Sequence, residues 1–504
     1  MTLGSAGMAH RVHSPVVGGV RVGGPRRGPA PGHGRRVAPT ARRGRRRRKR
    51  KGRKNLFNLA VAILIAFLLL FTPAQEQVEG HLKQWIDQIW EEFGPAHEYP
   101  VQASYTLERR VILTSEGANE FDFTYELPIP VERTERGLLE ESFTLESGTV
   151  LPAAALQQII DMRVRPSGGL SHAVPLDLNA VRSVDQAIDL DDGSTRIYWP
   201  VDGDDPEECR ASNCMIWSGT VPAGSVRTLI IEYEILATSF SWWTDSGLPD
   251  NIPGQVGYGI SVENSGSFAD LERSGYLAVM HNQVGSEKRW ADRLPQGTSS
   301  DWAIDGTDPR VTSLANDIMA SLPATEQDNV FAFAHAAFVH VRDAIVYDVG
   351  LSTPRSGPAC LSDGRGDCDE QSNAWMSLLR TREISTWYEF GALTDSTFSG
   401  WEAHAWSNVL LPLDADYCDD VGIDIGSCFI TASVDVVNNK WLLHTPTGFV
   451  ELIEPVSPLG EDVYRLYRPL TIMGTNYDWR EQYDTIEGPL IVDGTYRVPL
   501  VAGQ

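Results

Sequence analysis

Residues 366–380 read GDCDEQSNAWMSLLR, and this stretch decides how the rest of the chain is understood. Cys368 follows Gly364, Arg365, Gly366 and Asp367 directly and opens a helical pattern that continues through Ala374, Leu378 and Leu379. The first turn of a helix presents unpaired N–H groups and the positive end of the helix dipole, a setting that favours a thiolate. The flanking glycines let a substrate backbone approach closely. Cys368 is therefore a candidate nucleophile. Asp367, Asp369 and Glu370 are carboxylates that suit the dipole, although three of them beside a thiolate partly oppose its ionisation.

Working outward, TDPRVTSLANDIMASLP (307–323) and TEQDNVFAFAHAAFVHVRDAIVYD (325–348) have helical periodicity, the second opening on a Thr-x-x-Asp cap pattern. After the Cys368 helix come the strand patterns TWYEFGAL, AHAWSNVLL, CFITASVDVV and KWLLHT. Helices followed by antiparallel strands give an α+β domain, expected over residues 301–455. His404 lies in one of these strands on the same alternating face as Trp406, and it reaches Cys368 only if that sheet packs on the helix. His335 and His340 sit on a helix with Phe331 and Phe338; their i,i+5 spacing suits a packed core rather than a metal.

Three segments together, GDCDEQSNAWMSLLR (366–380), WEAHAWSNVLLP (401–412) and NKWLLHTPTGF (439–449), resemble the transglutaminase-like superfamily of papain-related cysteine enzymes. The resemblance covers roughly residues 305–455, including a lead-in ending in DAIVYD, and the ELPIPV strand is similar to domains found before such cores. It implies a papain-like core with Cys368 as nucleophile and His404 as general base. The family's third segment carries an aspartate that orients the histidine. Aligning Trp441, Pro446 and Thr447 puts Thr445 at that position, a residue that can accept a hydrogen bond but cannot stabilise an imidazolium by charge. The orienting residue could instead come from elsewhere, with Asp435 on the adjoining strand and His444 as neighbours, though neither falls at the motif position. The chemistry implied is acyl transfer on a protein or peptide amide, with Cys368 N–H as one oxyanion donor and the choice among Trp375, Trp401 and Trp406 open for another. The alternative is a catalytically degenerate module that binds or scaffolds at the cell envelope. No cofactor and no metal are expected.

Before the core, residues 99–300 carry short alternating runs such as VQASYTLERRVILTS, EFDFTYELPIPV and VRTLIIEYEIL between Gly, Pro, Asp and Asn turns. They predict an antiparallel β-sandwich, with a further strand pair at GYGISVEN and SGYLAVMH. Residues 456–504 read as a C-terminal β extension with short strands in PLIVDGTYRVPLV.

Charge divides the chain. Residues 1–54 hold 17 of the 43 Lys+Arg and no Asp or Glu, leaving 26 basic against 67 acidic residues, a net of −41, in the remainder. The first part has too little apolar surface to fold and reads as a disordered basic tail suited to anionic lipid headgroups. Nucleic acid is the sharper alternative for its ARRGRRRRKRKGRK run, and is excluded as a partner of the acidic part. Residues 55–73 contain LFNLAVAILIAFLLLF, long enough at about 1.5 Å per residue for roughly 24–28 Å of a ~30 Å bilayer core. The basic block before it predicts a single-pass anchor with the N-terminus cytoplasmic and the remainder extracytoplasmic. A cleaved signal peptide ending near Ala74 is the competing reading. Residues 74–98 predict an amphipathic juxtamembrane helix with Val78, Leu82, Trp85, Ile86, Ile89, Trp90 and Phe93 on one stripe. Outside the cytoplasm disulfides are permitted, and Cys209–Cys214 and Cys418–Cys428 are the close pairs. Cys360 is then a spare thiol or the partner of Cys368. Only Lys83, Lys288 and Lys440 supply lysine to the acidic part, whose charge is best tolerated in saline surroundings.

Overall fold

The computed structural model describes residues 96–130, 155–176, 183–199, 214–243, 260–273, 302–349, 355–453, 470–473 and 476–499, with short strands at 133–134, 143–144, 150–151 and 291–292. All belong to one compact unit, Ala96–Gln504. The tail at 1–54, the apolar run at 55–73 and most of the helix expected at 74–98 lie outside the described residues. The last three positions expected for that helix, 96–98, belong instead to the strand Ala96–Ser115. Among the described residues no helix is long and apolar enough to cross a membrane.

Two antiparallel sheets come first. One runs in the order Tyr477–Pro499, Ala96–Ser115, Val226–Thr238, Ala155–Pro166, Arg133–Thr134, and the other Leu470–Met473, Phe121–Pro128, Cys214–Val221, Thr195–Tyr198, Ile188–Asp189. Phe121–Pro128 shows why they pack: Phe121, Phe123, Tyr125 and Leu127 are buried while Asp122 and Thr124 face out. That period of two gives each strand one apolar face. Those faces share a core in which Phe123 and Tyr125 meet Leu107, Met162, Trp217, Ile231 and Tyr233. The C-terminal extension is part of this body. Tyr477–Pro499 pairs along Ala96–Ser115, and Leu470–Met473 pairs with Phe121–Pro128, so the α+β core is inserted between strands of the same two sheets.

Within 244–300 the structure describes residues 260–273 and a short strand at 291–292. Ser261–Asn264 forms a turn in which Asn264 accepts from the Ser261 N–H at 2.8 Å, which ends the first member of the expected strand pair. The second member lies outside the described residues.

The inserted core has helices at Pro309–Ser321, Val330–Ala344, Gly357–Asp363, Cys368–Arg380 and Ala415–Val421. Asp308 caps the first with Pro309 at its start. The second starts at Asn329, whose side chain accepts from Ala332 N–H at 2.8 Å, rather than at the Thr325 box. Its sheet runs Phe429–Val434, Glu402–Pro412, Thr386–Leu393, Gly448–Ile453, antiparallel throughout. Trp441, 1% exposed, packs against Phe331, Phe338 and Trp375 and so ties helices to sheet.

Insertion makes the two parts share buried bonds. Gln157 pairs with the backbone of Val450 through both ends of its amide, at 2.7 and 2.9 Å. Arg109, 3% exposed, bonds Glu451 of the core sheet, Tyr125 at 2.9 Å and Glu481 of the C-terminal strand at 3.0 Å. Trp401, at the start of the His404 strand, donates to Thr485 at 2.7 Å and packs on Tyr105.

Candidate active site

The Cys368 helix starts where the sequence stops the preceding one. Gly364 closes Gly357–Asp363 in the left-handed region at φ 65°, a conformation open to glycine. Asp367 then caps Cys368–Arg380 in a capping box with Glu370, whose carboxylate accepts from Asp367 N–H at 3.1 Å. The helix is buried on every side from Asp369 to Arg380, leaving Cys368 partly exposed at its head. Its polar residues are spoken for: Gln371 donates to Gly366 O at 3.1 Å, and Ser377 accepts from Asp305 N–H at 3.0 Å. Such a fixed helix holds the Cys368 sulfur in one place.

His404 is the third residue of Glu402–Pro412, opposite Gly391 on the neighbouring strand. A Cβ on Gly391 would fall 1.8 Å from Phe449 O, so glycine lets the third strand close up behind the histidine. The His404 ring stacks on Trp406 at 5.5 Å. Trp406 is in turn fixed by Glu389, a fully buried carboxylate that also accepts from Asn408 at 2.6 Å and Ser433 at 2.7 Å.

The sheet does pack on the helix, and it brings Cys368 close enough to the imidazole of His404 to raise its proton affinity. His404 Nε2 lies 3.0 Å from Asp435 Oδ2, with the two side chains 7% and 6% exposed. This leaves Nδ1 as the nitrogen for the sulfur. Asn438 donates to the same Asp435 oxygen at 2.9 Å. Burial alone would lower the proton affinity of His404, but Asp435 and Cys368 raise it to about 10. Burial pushes the Asp435 carboxyl up, and His404, Lys440 and Asn438 more than reverse this, to about 2.

The third partner of the Cys368–His404 pair is thus Asp435. Thr445, aligned to that role by sequence, is 1% exposed and turned elsewhere: its hydroxyl accepts from Lys440 Nζ at 3.0 Å and bonds Thr447 at 2.9 Å. His444 sits in a short ladder with Phe240. The signal for Asp435 lay in strand order. Phe429–Val434 pairs directly with the His404 strand, with Ser407 opposite Val434, so the next residue along reaches towards His404.

None of the three tryptophans offers a free indole N–H. Trp375 donates to Ala334 O at 3.2 Å, Trp401 to Thr485 and Trp406 to Glu389. Half-exposed Tyr347 flanks the site: burial raises its proton affinity, followed by the charges of Cys368, Asp367, Glu402 and Asp435. The ligand atoms of Asp367, Cys368 and Asp369 lie within 4.8 Å of one another. Burial, and then a hydrogen bond with Asp369, hold the Asp367 carboxyl far above its ordinary range. Glu370 is raised to about 7 by burial and then by Asp369.

The remaining candidates separate from the site. Cys360 and Cys368 are both free thiols, and Cys360 is buried, with burial and then Glu370 pushing its thiol up. Cys418 and Cys428 form a disulfide. Cys214 is also disulfide-bonded, while Cys209 lies outside the described residues. His335 packs among Trp243, Phe331, Phe338 and Trp441, and burial lowers it to about 4, as a core histidine requires.

Among known proteins, the model of the transglutaminase-like superfamily matches residues 313–419, a span that contains Cys368 and His404. These residues form a transglutaminase-like domain. No curated protein sequence matches the chain. Among solved structures, one from Cytophaga hutchinsonii called a "Putative Cysteine Protease" is similar at 9% identity and a TM-score of 0.37, over 80% of this chain and 99% of that one. Another from Parabacteroides distasonis, called a "Putative Protease", has 9% identity and a TM-score of 0.17 over 59% and 62%. Likeness of this degree decides neither fold nor chemistry.

Proposed function

We propose that this protein is a cysteine acyl-transfer enzyme, an amidase or protease acting on protein or peptide amides, held at a membrane by residues 55–73 with its active domain outside. The observation that carries the reading is the chain Cys368–His404–Asp435, which joins the partly exposed head of a buried helix to two buried side chains of the sheet. In it Cys368 is the nucleophile, His404 the acid–base group and Asp435 the carboxylate that orients the ring.

The Cys368 sulfur forms a bond to the amide carbon, and the carbonyl electron pair moves onto oxygen. Cys368 N–H, the first of its helix and without an intrahelical acceptor, is a donor for that oxyanion. As the tetrahedral intermediate collapses, the C–N bond breaks and the His404 proton goes to the leaving amine. Water then attacks the thioester, His404 takes its proton, and the C–S bond breaks to release the acid and restore the pair. If an amine replaces water, the product is a new amide. The scaffolding alternative drew on Thr445 at the acid position, and Asp435 beside His404 removes that reason for it.

The experiment is acyl-enzyme trapping on the full chain. A peptide library ending in activated amides should add one acyl mass to wild type, and none to Cys368→Ala. Incorporation of a labelled primary amine into casein then separates crosslinking from hydrolysis. Acylation of Cys368→Ala at the wild-type rate would end the proposal. For the anchor, protease should remove the acidic domain from intact cells while the basic tail stays protected; the reverse pattern refutes the orientation.

A further inference from the structure

Lys440 is one of three lysines after residue 54, and it is buried, with 5% of its surface exposed. It closes a hairpin with Asp435: Asp435 N–H donates to Lys440 O at 2.8 Å, and Lys440 N–H donates to Asp435 O at 2.9 Å. Residues that exchange both backbone bonds stand directly opposite in an antiparallel pair, with their side chains on one face. The ammonium therefore flanks the carboxylate that His404 uses. Its Nζ donates to Thr445 Oγ1 at 3.0 Å and lies 5.2 Å from the centre of the Tyr99 ring. Thr447 holds Thr445 in place at 2.9 Å. A buried ammonium needs a counter-charge, and Asp435 is the one the structure provides.

We propose that Lys440 is a positioning residue that sets how tightly His404 holds its proton, through the positive charge it places across the hairpin from Asp435. The inference rests on the reading of His404 as the acid–base group. Were Asp435 to act on the imidazole alone, the proton would be held firmly and released poorly to a leaving amine. When His404 becomes neutral, Asp435 would also remain as a buried anion with no cation beside it. Lys440 offsets both. Its charge offsets part of the carboxylate's field on the protonated imidazole, and at neutral pH it leaves Asp435 a cation across the hairpin when His404 gives up its proton. The groups that face this arrangement are Cys368 from the nucleophile helix, Asn438 from the hairpin turn, Trp406 beside His404, Thr445 and Thr447 after the hairpin, and Tyr99 from the first sheet. Glu402 and Tyr347 lie at the outer edge. Burial lowers Lys440 to about 8 against the pull of Asp435, so the ammonium carries its charge at neutral pH.

The test is a pH titration of the His404 ring nitrogens by 15N NMR in the full chain, for wild type, Lys440→Met, Lys440→Arg and Thr445→Val. Removing a cation raises the proton affinity of a nearby base. The Lys440→Met midpoint should lie about one pH unit above that of Lys440→Arg, whose charge persists through the whole titration, the order of one screened charge at an effective dielectric of about 20. Wild type should lie between the two, because Lys440, lowered to about 8, sheds its charge as His404 titrates, and kcat of Lys440→Met at neutral pH should fall with KM little changed. Thr445→Val, which loosens the ammonium without removing it, should also lie above Lys440→Arg, and it supplies the answer if Lys440→Met does not fold. A Lys440→Met midpoint at or below that of Lys440→Arg overturns the inference, as does a Thr445→Val midpoint at or below it where that variant stands in. Because the titration needs no turnover, an inactive Cys368 would defeat the enzymatic reading while leaving this result to stand or fall on its own.

Discussion

Replacing Asp435 with Asn separates the two candidates for the third member of the site. The change keeps the size of the side chain and an oxygen facing His404, and removes the charge. Opposite charges 3.0 Å apart, as at Asp435 and His404, attract by about 5 kcal/mol at an effective dielectric of about 20. Part of this is offset because an amide is easier to bury than a carboxylate, and the retained hydrogen bond is worth about 1 kcal/mol. A net loss of about 3–4 kcal/mol remains, or roughly 10²- to 10³-fold in rate. The assay is kcat and KM for the best-cleaved peptide of a mixed library, alongside thermal unfolding to establish that the variant folds. Asp435→Asn should lose this factor mainly in kcat, since the imidazolium matters most as charge develops. Thr445→Val should lose less than about tenfold, because its hydroxyl serves Lys440 rather than His404. Wild-type kcat in Asp435→Asn, or a larger loss in Thr445→Val, would refute the assignment.

Arg109→Met leaves Glu451 and Glu481 buried without their cation, so urea unfolding should show a loss of about 3–5 kcal/mol; a loss under about 1 kcal/mol would mean the cluster does not join the sheets to the core. Replacing both Cys418 and Cys428 by Ser opens a loop of sequence separation 10 and should cost about 2–3 kcal/mol, and reducing agent should lower the stability of wild type by more than that of the double variant, in which the Cys214 disulfide remains to be reduced. For pH, the raised His404 contributes stability that is complete below about 6.5 and is lost as pH rises through its folded value of about 10. The depressed Asp435 contributes stability present above about 3.9 and lost as pH falls towards about 2. The stability difference between wild type and His404→Gln should therefore shrink from pH 7 to pH 10, and a constant difference would contradict the assigned direction.

The placement of Cys368 and His404 was legible because both sit inside short local patterns. A glycine-bounded helix start places Cys368, and a two-residue alternation places His404 beside Trp406. The strand Thr386–Leu393 was likewise readable end to end from its β-branched and aromatic content. Asp435 was not, because its role depends on which strand lies beside the His404 strand and in what register, and no local pattern encodes that. The Trp-Pro-Thr spacing pointed to Thr445, six residues beyond the hairpin turn that carries Asn439. The same limit hid the C-terminal strand. Tyr477–Pro499 reads as an appendix, yet it pairs with Ala96–Ser115 across nearly 400 residues of chain. Glu451 and Gln157 look like ordinary polar positions until the inserted core brings the partners together.

The most direct measurement of the central claim, that His404 activates the Cys368 thiol, is the rate of iodoacetamide labelling of the native full chain at neutral pH, read residue by residue. Cys368 should label roughly tenfold or more faster than in His404→Gln and than in denatured wild type. Buried Cys360 should label only on unfolding. A Cys368 that labels no faster native than denatured, and no slower in His404→Gln, would contradict the account.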